Sequence, residues 1–137
     1  MVLFLLKEMD TKPDLSKGCS FPDTNLMSAE IRAYTATACQ YGIMGIDIDT
    51  FNPWQPLDRA TVATVISRVL FGSMFNTVEP DWYTQHARAL KHIGVMKNIG
   101  NLSEPMLQQD TMIMVERLHS SWLSQKIREK VRPYIMK

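Results

Sequence analysis

One arginine stands at the join between a loop and an apolar run. In FNPWQPLDRATVATVISRVLFG, residues 51–72, Arg59 follows Asp58 and precedes a stripe of Val62, Val65, Ile66, Val69 and Leu70. A guanidinium at such a join can hold a carboxylate through two parallel hydrogen bonds, and the free N–H groups of a helix start would add positive potential. Asp58 has the type and position of an N-cap, and its charge would offset part of that of Arg59. Trp54, between Pro53 and Pro56, offers a flat apolar face on which a sugar ring can stack, although a tryptophan among prolines reads first as a hydrophobic plug.

The other chemistry-bearing residues point to less. Asp47, Asp49 and Asp58 stand at positions 1, 3 and 12 of a calcium loop, but Phe51 and Asn52 occupy positions 5 and 6 and Pro53 follows, which argues against calcium. His86, His92 and His119 lack metal-ligand spacing and read as surface or half-buried helix positions. No nucleophile motif, phosphate-cradling glycine loop or zinc-protease motif is present. The sequence therefore predicts a protein that is not an enzyme and needs no metal or cofactor.

Composition narrows the partners. The 137 residues carry a formal net charge of +1, with 45% hydrophobic and 21% charged residues, as in a globular domain without a global field for nucleic acid. Only the tail is locally basic, with Lys126, Arg128, Lys130, Arg132 and Lys137 against Glu129. Trp122, Leu123, Ile127 and Val131 give that tail an apolar side, suited to docking on its own domain, on a partner helix or on an acidic membrane. Of the 10 methionines, Met106, Met112 and Met114 read as core filler at helical spacing. The opening MVLFLL is too short to span a bilayer and lacks the basic flank and cleavage site of an export signal.

The elements that must position Arg59 follow from periodicity. Helices are expected over 26–41, with Ile31, Tyr34, Thr35, Ala38 and Tyr41 as the recurring face, from Asp58 to Gly72, and over 81–93 with Tyr83, Ala87 and Leu90 inward. A fourth begins near Leu107, carries Met112, Val115 and Leu118, and continues toward Pro133. GIDIDTF at 45–51 is the one strand candidate. The layout repeats: a helix, Gly42-Ile43-Met44, a loop with Pro53 and a second helix are echoed by a helix, Gly94-Val95-Met96, a loop with Pro105 and a helix. The offset is 52 residues at the glycines and about 50 at Leu57 and Leu107, so the second loop is shorter by about two. Such units cannot bury their faces singly, and an all-α fold of two stacked repeats is expected, with segments 1–18 (extension), 19–76, 77–119 and 120–137 (basic helix).

The order of Phe21-Pro22-Asp23, Tyr41-Gly42-Ile43-Met44-Gly45, the acidic loop 47–49, Phe51-Asn52-Pro53 and Leu57-Asp58-Arg59-Ala60-Thr61 resembles the S-layer homology domain. A weaker second copy covers 81–119, and its Trp82-to-Lys91 run is similar to a variant in envelope proteins of small-genome, uncultivated bacteria. The pattern departs from the family at Asp58, Thr61 and Thr50, and Gln109 and Asp110 stand where the second copy should hold arginine and alanine. The resemblance implies a non-catalytic module at the cell surface that binds a cell-wall glycopolymer, often pyruvylated, through Arg59, with Asp23, Trp54 and Asp58 beside it. It also brings Cys19 alongside the helix holding Cys39. A disulfide there closes about 20 residues and would contribute on the order of 3 kcal/mol; as free thiols the two would be ordinary core residues. A partner chain or a longer parent protein would supply the family's third repeat. The alternative from another class is a protein-interaction or oligomerisation module on the same scaffold without a sugar site.

Overall fold

The computed structural model describes residues 12, 19–45, 48–78 and 80–119. Asp47, most of the 1–18 extension, and the 120–137 segment with Trp122, Ile127 and Val131 lie outside them. The described residues are all-α. A short 3-10 turn at Pro22–Thr24 precedes α1 (Ala29–Gln40), α2 (Arg59–Phe71), α3 (Thr84–His92) and α4 (Gln108–His119). No strand of a sheet forms among these residues. The 45–51 candidate is loop where described, and the only extended pairing is an isolated antiparallel bridge between Asp58 and Pro105. No helix among them is long and apolar enough to cross a membrane.

The chain divides into two compact units, one ending at Gln55 and one starting at Pro56. In the first, α1 starts later than periodicity predicts, because the Ser28 hydroxyl accepts from Ile31 N at 3.3 Å and caps the helix there. Leu26 is left wholly exposed, and Ile31 and Tyr41 are exposed as well. Tyr34, Thr35 and Ala38 of the expected face are buried, joined by Ala36 and Thr37. The threonines survive in a helix interior because their hydroxyls return to the backbone, Thr37 Oγ1 donating to Ala33 O at 2.7 Å and Thr35 Oγ1 to Arg32 O at 2.9 Å. Cys19 and Cys39 are joined in a disulfide with 5.8 Å between their Cα atoms, tying the segment before the 3-10 turn to the end of α1.

In the second unit, α2 is buried on nearly every side. Ala60, Ala63, Thr64 and Ser67 are covered along with the expected stripe, so small and polar positions let a neighbour approach closely. α3 packs on α2, and Ser67 Oγ lies 2.9 Å from His86 Nδ1. His86 is fully buried rather than at the surface, with Phe75 edge-on to its ring and its Nε2 without a partner. Burial pushes it down to about 4, with the nearby Arg68 charge helping. On α4, Val115 of the expected face is core and Leu118 half-buried, while Met112 is exposed and Met114 is core in its place.

The helix ends after α1 and α3 are the same structure. Gly42 and Gly94 take φ of 68° and 79°, which a side chain would disfavour. Ile43 N reaches back to Ala38 O at 2.9 Å and Val95 N to Leu90 O at 3.0 Å, the six-to-one bond of a Schellman turn, while Gly42 N and Gly94 N bond Cys39 O and Lys91 O. The loops that follow both turn on an asparagine at positive φ, Asn52 at 54° and Asn101 at 51°. Gln55 N then bonds Asn52 O, and Glu104 N bonds Asn101 O. These asparagines are 49 residues apart, as are the helix starts at Arg59 and Gln108. The second loop is thus three residues shorter, and the counterpart of Arg59 is Gln108 rather than Gln109.

Candidate functional site

Arg59 is the first residue of α2, and its surroundings are built from the backbone up. Asp58 is extended, with φ −82° and ψ 167°, and its Oδ1 accepts from Thr61 N at 2.7 Å, the N-cap the sequence predicts. The other helix-start amides are also taken. Arg59 N bonds Glu104 O at 2.9 Å, Ala60 N bonds Leu102 O at 2.8 Å and Val62 N bonds Asp58 O, while Met106 N closes the pairing on Leu57 O at 2.7 Å. This corrects one expectation: no N–H group of this helix start is free to meet an anion. Asp58 also makes no ion pair with Arg59 among the described residues; its carboxylate serves the helix rather than neutralising the guanidinium.

What remains for a ligand is the side chain itself. Arg59 is half-buried, its Nη2 donates to Asn98 O at 2.6 Å, and its Nε is buried with no partner. The guanidinium borders a pocket of about 170 Å³ within the second unit. Lys97 and Arg117 stand on the same pocket, facing one carboxylate, Asp110, so the lining is cationic. Met96, Met106, Ile113 and Met114 supply its apolar part. Arg117 Nη1 donates to Val95 O at 2.9 Å, so two arginines from different helices hold the segment after α3 on either side of Lys97. Sequence reasoning passed over Arg117 and Lys97. A signal existed, since Asp110, Ile113, Met114 and Arg117 recur at helical spacing along α4.

The remaining predicted site residues lie in the first unit. Asp23 accepts from Phe51 N at 3.0 Å and from Asn52 N at 2.6 Å, one bond to each carboxylate oxygen. The bond from Phe51, reinforced by that from Asn52, holds its carboxyl below the usual aspartate range, although burial pulls the other way. Its observed work is to fasten the 51–52 loop, where Phe51 also meets Phe21 with ring centroids 5.4 Å apart. Trp54 is 85% exposed, so it is not the plug that its proline neighbours suggest. The structure joins Cys19 to Cys39, sets Asp58 beside Arg59, and ties Asp23 to its loop.

Comparison with known proteins gives one informative likeness. The chain is 28% identical over 113 residues, 77% of its length, to an S-layer protein of Bacillus thuringiensis subsp. finitimus. It spans 14% of the length of that protein. No family model matches the chain. No solved structure matches it.

Proposed function

We propose that this chain is a non-catalytic attachment module of the bacterial cell envelope, associated with a surface layer, that binds an acidic cell-wall glycopolymer at Arg59. The observation that carries the reading is the Arg59 guanidinium at the rim of a cationic pocket, with a buried Nε that no described residue satisfies. The guanidinium brings its charge to the pocket lining, where a ligand carboxylate would meet it. The likeness to an S-layer protein supports the surface location, and so does the disulfide, which persists outside reducing compartments. The exposed Trp54 offers a stacking face on the first unit for a polymer long enough to touch more than one point. Asp23 and Asp58 enter this reading as residues that shape their loops rather than as ligand contacts.

A second reading rests on α4, whose Met112 and Ile113 are exposed next to an exposed Leu107. That surface favours a protein partner, and on this reading the chain is an interaction module without a sugar site. Co-sedimentation with native sacculi separates the two. The first reading expects the chain to pellet with them and R59A to lose about tenfold or more in affinity, the worth of one charge-assisted hydrogen-bonded contact. Wild-type protein that stays in the supernatant rejects it.

A further inference from the structure

We infer that Lys97 is a second ligand-binding cation of the Arg59 pocket, so that the acidic group of the polymer meets an ammonium as well as a guanidinium. The inference rests on the attachment reading above and adds a residue to which that reading gives no role. Lys97 lines the pocket of about 170 Å³ that Arg59 borders, and both belong to the second unit. It is exposed, and its ammonium has no hydrogen bond or ion pair among the described residues. The backbone that carries it is fastened on both sides. Before it, Val95 N and Met96 N bond Leu90 O at 3.0 and 3.2 Å, and Arg117 Nη1 donates to Val95 O at 2.9 Å. After it, Asn98 O accepts from Arg59 Nη2 at 2.6 Å, and Asn98 Oδ1 accepts from Gly100 N at 2.8 Å. A cation with a fixed root and an unengaged head has less freedom to lose on binding than one carried on a mobile loop. Asp110, on the same lining, makes no ion pair with Lys97 or Arg59 among the described residues. Like charges held at one pocket repel, and a bound anion relieves that repulsion.

The equivalent position of the first unit carries no such group. At the 52-residue offset Lys97 answers to Gly45, where an added Cβ would lie 2.7 Å from Phe21 Cζ. There an aromatic ring takes the space of a side chain. Lys97 stands outside positive φ, so its long side chain is carried without backbone strain, and it lines the pocket instead. Met96, next to it, is core and lines the same pocket, so apolar surface backs the cationic lining. A carboxylate carried on a sugar ring offers charge to the one and carbon to the other, which a bare hydrated anion does not.

The test uses the whole chain and purified wall polysaccharide, native and with its carboxyl groups reduced to alcohols. K97Q is expected to weaken binding of the native polymer by about fivefold, K97E by more and K97R by less. The reduced polymer is expected to bind wild type no more tightly than the native polymer binds K97Q. A second readout needs no substitution. Acetylation of wild-type lysines, followed by peptide mass spectrometry, should slow at Lys97 when native polymer is present and stay unchanged at Lys91, which is exposed on α3 and does not line the pocket. Wild type that binds and loses affinity in R59A, while K97Q binds normally or Lys97 is acetylated at its free rate, overturns this inference and leaves the attachment reading intact. Wild type that binds no polymer ends both. Equal binding of the native and reduced polymers also overturns the inference, because no carboxylate is then held.

Discussion

The turns that end α1 and α3 match bond for bond across 52 residues, while the segments that start α2 and α4 share a backbone course and little else. The start of α2 has an aspartate cap, a paired segment whose carbonyls satisfy its amides, and an arginine at its first position. The start of α4 has Leu107 where the cap should be, and neither Gln108 N nor Gln109 N has a partner among the described residues. A helix end needs one glycine and a bond to its own preceding turn, so it survives sequence drift as a local unit. A helix start needs acceptors from outside itself, so its chemistry depends on what the rest of the chain brings to it. The arginine on which the proposed function rests stands at the better-supported start.

Three residues past the matching glycines the two copies part, the first holding Gly45 and the second, at the same offset, Lys97. A Cβ added at Gly45, φ +76°, would lie 2.7 Å from Phe21 Cζ, whereas one at Gly94, φ +79°, meets nothing within 4 Å. Both substitutions carry the left-handed cost of about 1 kcal/mol, and Gly45→Ala adds about 1–3 kcal/mol for displacing a buried ring. Urea unfolding should therefore show G45A losing about 3 kcal/mol and G94A about 1. Equal losses would mean that the Phe21 ring yields freely.

Acid should expose a difference along the helices themselves. Position 86 on α3 corresponds, at the 52-residue offset, to Tyr34 on α1, and both are buried. A phenol takes up no proton in acid, but His86 must charge when it unfolds. Its folded value near 4 lies below the ordinary 6.5, so between those two values the unfolded chain binds the extra proton. Stability contributed by the neutral ring is complete above about pH 6.5 and is lost as pH falls toward 4, by at most about 3 kcal/mol. Hydrogen exchange on α3 amides should accelerate over that window, and H86Q, which can still meet Ser67, should flatten the dependence. Asp23, held below its usual range by the Phe51 and Asn52 amides, contributes stability that is lost only at more acid pH, as the fall continues through its depressed value.

The start of α2 can be degraded directly. Asp58→Ala removes the acceptor of Thr61 N and should cost about 1–2 kcal/mol. The same variant should leave polymer affinity nearly unchanged, because the carboxylate serves the helix rather than a ligand. A tenfold change in binding with a normal Tm would return Asp58 to the site as a ligand contact.

How much of this was legible beforehand follows the same division. The α2 start, its cap and its glycine stop were readable because Asp58 and Gly72 bracket an apolar stripe with strong local signals. The matching turns were readable from two glycines. What escaped depended on neighbours distant in sequence. The amides of Arg59 and Ala60 are filled by Glu104 and Leu102, more than forty residues on, so the sequence left them free for an anion. Arg117 joins the pocket only because α4 is brought to it, and His86 is buried only because Ser67 and Phe75 meet it. Trp54 looked like a plug because prolines fix backbone direction, which says nothing of which side faces water.

The smallest expected effect is the sharpest for the comparison, because it runs in the stabilising direction. Leu107 immediately precedes α4 and is 56% exposed, so little apolar burial is lost by replacing it. Leu107→Asp places at α4 the group that Asp58 supplies to α2, within reach of Asp110 N, the counterpart of Thr61 N at the 49-residue offset. If the two starts differ mainly by that cap, L107D should gain about 0.5–1 kcal/mol in urea unfolding, and less in the background of an uncharged cap such as L107S. Asp110 N already bonds Leu107 O at 3.1 Å, so the new carboxylate competes with an existing bond. A gain shows that geometry at both starts is equivalent and only chemistry was lost. A loss shows that the shorter loop has tightened the second start beyond what a cap can use.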